Sequence, residues 1–145
     1  MSSDSPRGPE ANTLTLLALA HIKLSRQVSE GVARAGHPIK PSHSAVFGQM
    51  RDDGARLTDL ARGANMTPQA MGELVDELEG LGYVLRTPDP TDRRAKLIML
   101  TELGRECVAA GIDTIGDIER HITDALGVTP HRDLRRMLLT LLAES

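Results

Sequence analysis

Apolar residues recur along most of this chain at the spacing of one helical face. Residues 11–35 repeat them every three or four positions, and Gly36 follows at a position that suits the end of a helix. A second helix is predicted to open at Pro41-Ser42 and to stop at Gly54. Its predicted inner face consists of Val46, Phe47 and Met50.

The middle of the chain predicts two short helices joined by a tight turn. Thr58 and Thr67 are the predicted N-caps of these helices, and Asn65-Met66 supplies the turn. Pro68 follows as the first residue of the second helix, where its missing N–H costs nothing. One face of this helix is apolar and is therefore predicted to be buried: Met71, Leu74, Val75, Leu78 and Leu81.

Two apolar segments after this helix, 83–87 and 97–100, have the β-branched content of paired strands. Residues 88–96 between them form a basic, turn-rich tip. Helix, turn, helix and hairpin in this order predict a winged helix-turn-helix. The expected fold is therefore mainly α with a small β-hairpin wing, an α+β architecture framed by N- and C-terminal helices.

The C-terminal part of the chain predicts two more helices. Thr101 caps one that runs to Gly127, and Thr129-Pro130 opens the last. Gly111 and Gly116 lie inside the longer helix and cost about 1 kcal/mol each relative to alanine, which indicates close packing or a bend.

The segment from Leu57 to Gly104 resembles the MarR family of bacterial transcription regulators. The resemblance is carried above all by the Asp92-Arg93-Arg94 wing, followed by Leu100-Thr101. It implies a DNA-binding regulator, a repressor that acts as a homodimer on a pseudo-palindromic operator and is relieved by a small molecule. It also implies that Arg94 enters the minor groove of DNA and that Asp92 orients it.

The resemblance places DNA contacts on the second short helix and on the wing. Gln69 could pair with adenine, and Glu73 could accept a hydrogen bond from cytosine N4. The predicted DNA-binding residues are Thr67, Pro68, Gln69, Gly72, Glu73, Asp92, Arg93, Arg94 and Lys96.

The terminal helices carry apolar faces that one small winged domain cannot cover, so we expect a two-fold dimer. Packing of these faces within one chain is the alternative. The predicted interface residues are Leu14, Leu17, Ile122, Leu134, Leu138 and Leu141. The chain then divides into a flexible tail at 1–10, a dimerisation region at 11–36 and 102–145, and a DNA-binding domain at 42–101.

Charge complicates the DNA prediction, because the chain carries a net charge of −3. Between Thr67 and Gly82 there is no lysine or arginine, and the second short helix contains Glu73, Asp76, Glu77 and Glu79. The basic residues of the wing are Arg86, Arg93, Arg94 and Lys96. Two alternatives follow: a wing that is only a solvated hairpin with an internal salt bridge, and a protein-interaction module that reads little or no DNA.

The family resemblance further implies a small effector, often an aromatic acid, between the dimerisation helices and the winged domain. The matching residues are His21, Val46, Phe47 and Met50. The chain has one Phe and one Tyr, so such a pocket would be mainly aliphatic. His21 could instead be a hydrogen-bonded core histidine, and the chain could have no effector.

Other chemistry finds little support in the sequence. The lone cysteine, Cys107, indicates a small buried hydrophobe rather than a redox switch, and the five histidines include no i, i+4 pair, so no metal or cofactor is predicted. Phosphate-loop, nucleophile-elbow and HExxH motifs are missing, and Asp89 and Asp92 fall on a turn expected to be exposed. We therefore predict a protein that is not an enzyme. No signal peptide is evident, which favours the cytoplasm.

Overall fold

The computed structural model describes residues 11–145, so the predicted flexible tail at 1–10 lies outside the described residues. A long N-terminal helix, a winged domain and two C-terminal helices follow one another along the chain. The elements are α1 (Thr13–Arg34), a 3-10 turn (Pro41–His43) that leads into α2 (Ser44–Phe47), α3 (Leu57–Gly63), α4 (Pro68–Gly80), β1 (Val84–Asp89), β2 (Asp92–Leu100), α5 (Glu102–Leu126) and α6 (Val128–Ala143). The predicted fold class is confirmed.

Two of the four predicted threonine caps are present. The Thr67 hydroxyl accepts a hydrogen bond from the backbone N–H of Ala70, and the Thr101 hydroxyl accepts one from that of Gly104, both at 3.1 Å. Thr58 and Thr129 are not caps, because α3 begins at Leu57 and α6 begins at Val128. Each threonine therefore lies inside the first turn of its helix.

The predicted end of the second helix at Gly54 is wrong. That helix, α2, ends at Phe47, and Gly48 follows as its C-cap. Gly54 instead has a φ of 86° in a turn just before Ala55, which pairs with Ile98 of β2. The chain leaves the helix early because Ala55 forms an isolated antiparallel bridge with Ile98 at the edge of the hairpin.

The hairpin is longer than the sequence predicted. Val84 lies opposite Leu100, and pairing continues to Pro88 opposite Lys96 before the register shifts and Asp89 faces Asp92. Most of the predicted tip is therefore strand, and only Pro90 and Thr91 separate the two strands.

The core lies in the winged domain and extends to the inner turns of α1 and α5. Met71, Val75 and Leu78 of α4 are fully buried, as the apolar pattern predicted. Leu74 is half-buried, and Leu81 is exposed because it follows the last turn of α4. Other core side chains come from every neighbouring element: Val32, Val46, Leu60, Ala61, Tyr83, Val84, Ile98 and Cys107.

Close helix packing explains some glycines of the chain. A Cβ at Gly104 would collide with the carbonyl oxygen of Tyr83, so only glycine lets α5 start directly against the base of the hairpin. A Cβ at Gly111 would find only Val32 within 4.0 Å, and one at Gly116 only a side-chain nitrogen of Arg120 at 3.7 Å. These two glycines therefore leave space rather than permit a tight contact. Within residues 11–145, no helix combines the length and the apolar content of a membrane span.

Candidate nucleic-acid interface

The N-terminal half of α4 exposes one face to solvent and buries Met71 on the other. Thr67 and Pro68 fix the start of this helix, and Asn65 turns the chain into it with a φ of 54°. Gln69 and Glu73 are exposed one helical turn apart, and Gly72 between them is half-buried. This arrangement presents an amide and a carboxylate on one surface. Pro68 has no N–H and the N–H groups of Ala70 and Met71 donate to Thr67, so in the first turn only that of Gln69 remains for an external acceptor.

The wing carries a group of exposed cations. Arg93, Arg94 and Lys96 lie on β2, just after the two-residue turn. Within residues 11–145, none of the three forms an ion pair. Their charges are therefore available to an external anion such as a DNA phosphate.

Asp92 does not hold the Arg94 guanidinium in the way that the resemblance implied. A carboxylate oxygen of Asp92 instead accepts a hydrogen bond from the backbone N–H of Arg94 at 3.0 Å. This is a local two-residue contact of the kind that aspartate makes in turns. Asp92 therefore shapes the backbone of the wing and leaves the Arg94 side chain unconstrained.

Asp89 is the aspartate that braces the wing, and the expectation that it is exposed is wrong. It is 6% exposed, and one of its oxygens accepts two hydrogen bonds from Arg56, at 2.9 and 2.7 Å. The other oxygen accepts the backbone N–H and the hydroxyl of Thr91, both at 2.8 Å. Hydrogen bonds from Thr91 and then from Arg56 lower the pKa of Asp89. Asp89 thus fastens the wing turn to the residue that precedes α3.

Arg86 is not part of the available basic patch. Its guanidinium bonds to Asp76 at 2.7 Å and to Glu79 at 2.8 Å, both on α4. Glu79 also accepts the backbone N–H of Arg86 at 3.2 Å. Two of the four acids of α4 are therefore neutralised by the strand that follows the helix.

Glu77, a third acid of α4, is held by the segment before α2. His43 is 1% exposed and its Nδ1 accepts the backbone N–H of Lys40 at 3.1 Å. That contact leaves the proton on Nε2, which donates to Glu77 at 2.7 Å. Lys40 adds an ion pair at 3.3 Å. The hydrogen bonds from His43 and then from Lys40 lower the pKa of Glu77.

Glu73 is the remaining acid of α4, and within residues 11–145 it has no ion pair. The sequence suggested a uniformly acidic helix, but the folded surface is different. One carboxylate without an ion pair lies one helical turn from Gln69, and the wing carries three cations without one. Sequence reasoning missed Lys40, His43 and Arg56 because each lies more than thirty positions from its partner, with separations of 37, 34 and 33 residues.

The match to a known family covers this same surface. The model of the MarR family matches residues 51–96, which run from the turn before α3 to Lys96 of the wing. Over this segment the chain is similar to the MarR family.

Known transcriptional regulators share both sequence and architecture with this chain. An uncharacterized HTH-type transcriptional regulator of Mycobacterium bovis is 29% identical over 102 residues, which cover 70% of each chain. The structure of the transcriptional repressor CouR bound to a 23-mer DNA duplex is 28% identical, with a TM-score of 0.69 over 91% of this chain and 90% of CouR. The expectation of a transcriptional regulator rather than an enzyme is confirmed.

CouR has also been solved with a ligand. The structure of CouR from Rhodococcus jostii RHA1 bound to p-coumaroyl-CoA is 24% identical, with a TM-score of 0.75. The alignment covers 97% of this chain and 98% of that one. At this level of identity the likeness extends to the fold.

The four residues predicted to bind an effector do not form one pocket in this structure. Phe47 lines a cavity between α1, α2 and α5, whereas Val46 is fully buried in the core. His21 is exposed on α1, 3.4 Å from the Ser25 hydroxyl, so it is not a core histidine within one chain. Met50 is half-buried against the winged core and, like His21, does not line the cavity.

The predicted dimer residues lie on the terminal helices. Leu14 is 78% exposed, and Leu17 and Leu141 are also exposed. Ile122, Leu134 and Leu138 are half-buried. Packing within one chain therefore fails to cover the apolar face that α1 and α6 present.

Cys107 and His131 are buried and contribute to packing between elements. Cys107 is 2% exposed, and burial raises the pKa of its thiol to about 11, so it is a neutral core side chain as predicted. The His131 ring bonds to Thr123 and Glu119 and ties α6 to α5. In the part of the chain that the structure describes, no three metal-ligating side chains form a group that could hold a metal ion.

Proposed function

We propose that this protein is a sequence-specific repressor that binds a pseudo-palindromic operator as a homodimer and is released by a small ligand. The observation that carries the proposal is the distribution of charge on one surface. Arg93, Arg94 and Lys96 have no ion pair within residues 11–145, whereas three acids of the adjacent helix are paired internally. That surface favours a polyanion despite the negative net charge of the chain.

In the proposed complex the start of α4 enters the major groove of DNA. Gln69 would donate to and accept from an adenine edge, and Glu73 would accept from cytosine N4. Thr67 and Pro68 would bring the start of the helix close to the DNA backbone, where the N–H of Gln69 and the helix dipole favour phosphate, and Gly72 would allow close approach one turn later. In this proposal, the DNA sequence that the protein recognises depends on the amide of Gln69 and the carboxylate of Glu73.

The wing would bind beside the major-groove contact. Arg94 would enter the minor groove, whose negative potential attracts a guanidinium, and Arg93 and Lys96 would contact phosphates. Asp92 contributes by fixing the wing backbone through Arg94 N–H rather than by orienting the guanidinium. The DNA-bound CouR structure supports this mode of binding, because it shares the fold with this chain over nearly the whole length.

We also propose the division of labour expected from the sequence: a DNA-binding domain at 42–101 and a dimerisation region at 11–36 and 102–145. The exposed leucines of α1 and α6 support a second copy as the partner of those helices. Leu138→Glu should shift the protein from dimer to monomer in analytical ultracentrifugation, while Glu106→Gln on the exposed face of α5 should not. A Leu138→Glu protein that stays dimeric would refute this interface.

The function is tested by selecting bound duplexes from a random pool and titrating the selected site with salt. Wild type should enrich a pseudo-palindrome and lose affinity steeply as salt rises. Arg94→Ala should bind about 10- to 100-fold more weakly, because a minor-groove or base contact of this kind contributes about 1–3 kcal/mol. Arg132→Ala, an exposed arginine on α6, is the matched control and should bind like wild type.

The competing function is a winged helix that binds a basic protein through the acidic face of α4. The internal pairing of Asp76, Glu77 and Glu79 argues against it, because those carboxylates already have partners. If no duplex is enriched even at low salt, the protein does not bind DNA sequence-specifically. The protein-interaction function is then the one to test. The repressor proposal also places the protein in the cytoplasm, where it would encounter its operator.

A further inference from the structure

Gln69, Glu73 and Glu77 lie along one exposed stripe of α4. They follow one another at intervals of four residues, so their side chains leave the helix on the same face. Gln69 and Glu73 are the residues proposed to contact base edges, whereas Glu77 at the other end of the stripe is bonded to His43. Because a short α-helix is stiff, a contact that fixes Glu77 also constrains the direction in which the other two side chains point.

His43 is the one fully buried side chain among the three that bind acids of α4. The other two, Lys40 and Arg86, keep 66% and 26% of their side chains exposed. Both ring nitrogens of His43 are bonded, because Nδ1 accepts the backbone N–H of Lys40 and Nε2 donates to Glu77. A buried ring with two such partners has one orientation and one tautomer. His43 therefore forms a rigid connection between the 3-10 turn and α4.

The side-chain contacts that hold α4 are confined to its C-terminal half. His43 holds Glu77 at 2.7 Å, and Arg86 holds two further acids of the same half, as described above. Within residues 11–145, neither Gln69 nor Glu73 takes part in such a contact. The N-terminal half of α4 is therefore available to DNA, while its orientation is set from the opposite end.

We propose that His43 is a positioning residue for base recognition, which sets the rotation of α4 about its axis by holding Glu77. The inference rests on the proposed function, because it concerns how Gln69 and Glu73 meet the base edges. His43 is buried and acts without touching DNA. Loss of its contact should lower discrimination between base pairs more than affinity for DNA in general, because phosphate contacts of the wing do not depend on Glu77.

Asparagine and glutamine separate the two contacts of His43. The oxygen of an asparagine can take roughly the place of Nδ1, but its side chain is too short to reach Glu77. The amide N–H of a glutamine can take roughly the place of Nε2. His43→Asn should therefore lose the contact with α4, and His43→Gln should keep it. His121→Asn makes the same change at an exposed histidine of α5 and is the matched control.

The readout is the ratio of two dissociation constants, one for a duplex with a single changed base pair and one for the selected duplex. The changed pair is the one at which Gln69→Ala loses discrimination. His43→Asn should lower this ratio at least about fivefold and leave affinity for an unrelated duplex within about twofold of wild type. His43→Gln and His121→Asn should keep the wild-type ratio. If His43→Asn weakens binding to every duplex by the same factor, its role is merely structural and the inference is overturned.

Glu77→Ala removes the same contact from the exposed side of α4. It should lower the ratio as much as His43→Asn does, and the double variant should be no worse than either single one, because both remove one contact. Losses that multiply in the double variant would overturn the inference. Glu77→Gln keeps an oxygen that accepts from Nε2 and should retain the wild-type ratio. If His43→Asn does not fold, the comparison of Glu77→Ala with Glu77→Gln decides.

The contact itself is measured without DNA. Nitrogen-15 NMR of the full-length protein should place the His43 proton on Nε2 and show it protected from exchange with solvent, and Glu77→Ala should remove that protection. A proton on Nδ1 would overturn the inference. If the contact is present but the selection enriches no duplex, the repressor function fails and the inference falls with it. If a duplex is enriched and His43→Asn discriminates like wild type, only the inference fails.

Discussion

The wing and α4, the proposed recognition helix, are neighbours, yet the charges of the wing are mostly unpaired and those of α4 mostly paired. Arg93, Arg94 and Lys96 on the wing extend into solvent without an ion pair in the described residues. On α4, by contrast, Arg86 holds Asp76 and Glu79, and His43 with Lys40 holds Glu77. The positive charges stay available to an external partner, while most of the negative ones are used internally.

This difference teaches that a count of charges in the sequence misjudges the surface proposed to meet DNA. Exposed ion pairs of this kind add little to folding stability, typically about 0–1 kcal/mol each. They still change the local potential, because a paired carboxylate repels a phosphate less than an unpaired one does. The acidic recognition helix is therefore compatible with DNA binding through the partners that the fold supplies.

The strongest way to sharpen this comparison is Glu73→Arg, which reverses the one unpaired charge of α4. Affinity for the selected duplex should rise about tenfold at low salt, with a steeper salt dependence, because a new cation faces the phosphates. Discrimination at the base pair read by Glu73 should fall at the same time. Fluorescence anisotropy at several salt concentrations measures both effects.

Glu106→Arg on α5 is the control for net charge and should change affinity little. A loss of affinity in Glu73→Arg, together with enrichment of a basic protein partner by wild type, would favour the protein-interaction function instead.

Removing a partner of the paired acids is the next test. Arg86→Ala frees Asp76 and Glu79 and should weaken DNA binding about fivefold, although Arg86 itself is not predicted to touch DNA. The loss should shrink at high salt, because screening reduces the repulsion. Arg105→Ala breaks a comparable exposed pair on α5, with Glu102, and should leave affinity unchanged. If the two variants behave alike, the pairing of the α4 acids is irrelevant to binding.

Arg56→Gln loosens the brace of the wing without removing a predicted DNA contact. We expect about a threefold loss of affinity for DNA. The wing turn loses the two hydrogen bonds that Arg56 donates to Asp89, so DNA binding must then order this turn. The salt slope should stay that of wild type, since no phosphate contact disappears. Arg136→Gln on α6 is the matched control, and a changed slope in Arg56→Gln would mean that Arg56 contacts DNA directly.

The smallest expected effect is on stability at acid pH. The pKa values of Asp89 and Glu77 are lower in the folded protein than their ordinary values of 3.8 and 4.5. Such carboxylates stabilise the fold above the ordinary pKa, and this contribution is lost as pH falls through the folded pKa. The melting temperature should therefore be level from neutral pH to about pH 5 and fall below it.

Asp89→Asn should flatten part of that fall, because its contribution no longer titrates. Asp92→Asn, which changes an exposed aspartate on the same wing, should follow the wild-type curve. Identical curves for all three proteins would mean that the Asp89 brace does not contribute to stability.

Local sequence patterns predicted much of the architecture for physical reasons. The Thr67 and Thr101 caps and the stops at Gly36 and Gly127 depend on residues within one helical turn, so they are readable from neighbouring positions. The same reasoning failed at Gly54, where the chain leaves α2 early. There the bridge of Ala55 to Ile98 decides the path, and no pattern in neighbouring positions encodes that pairing.

The sequence by itself therefore determined the winged-helix fold, the location of the recognition helix and the basic wing, because capping and apolar spacing act over a few residues. Only the tertiary structure decided which charges remain available. Arg56 reaches Asp89 and His43 reaches Glu77 across separations of 33 and 34 residues. Those partners meet because packing of the core brings their segments together, and ion pairs between distant segments form only where the chain path places both side chains within hydrogen-bonding distance.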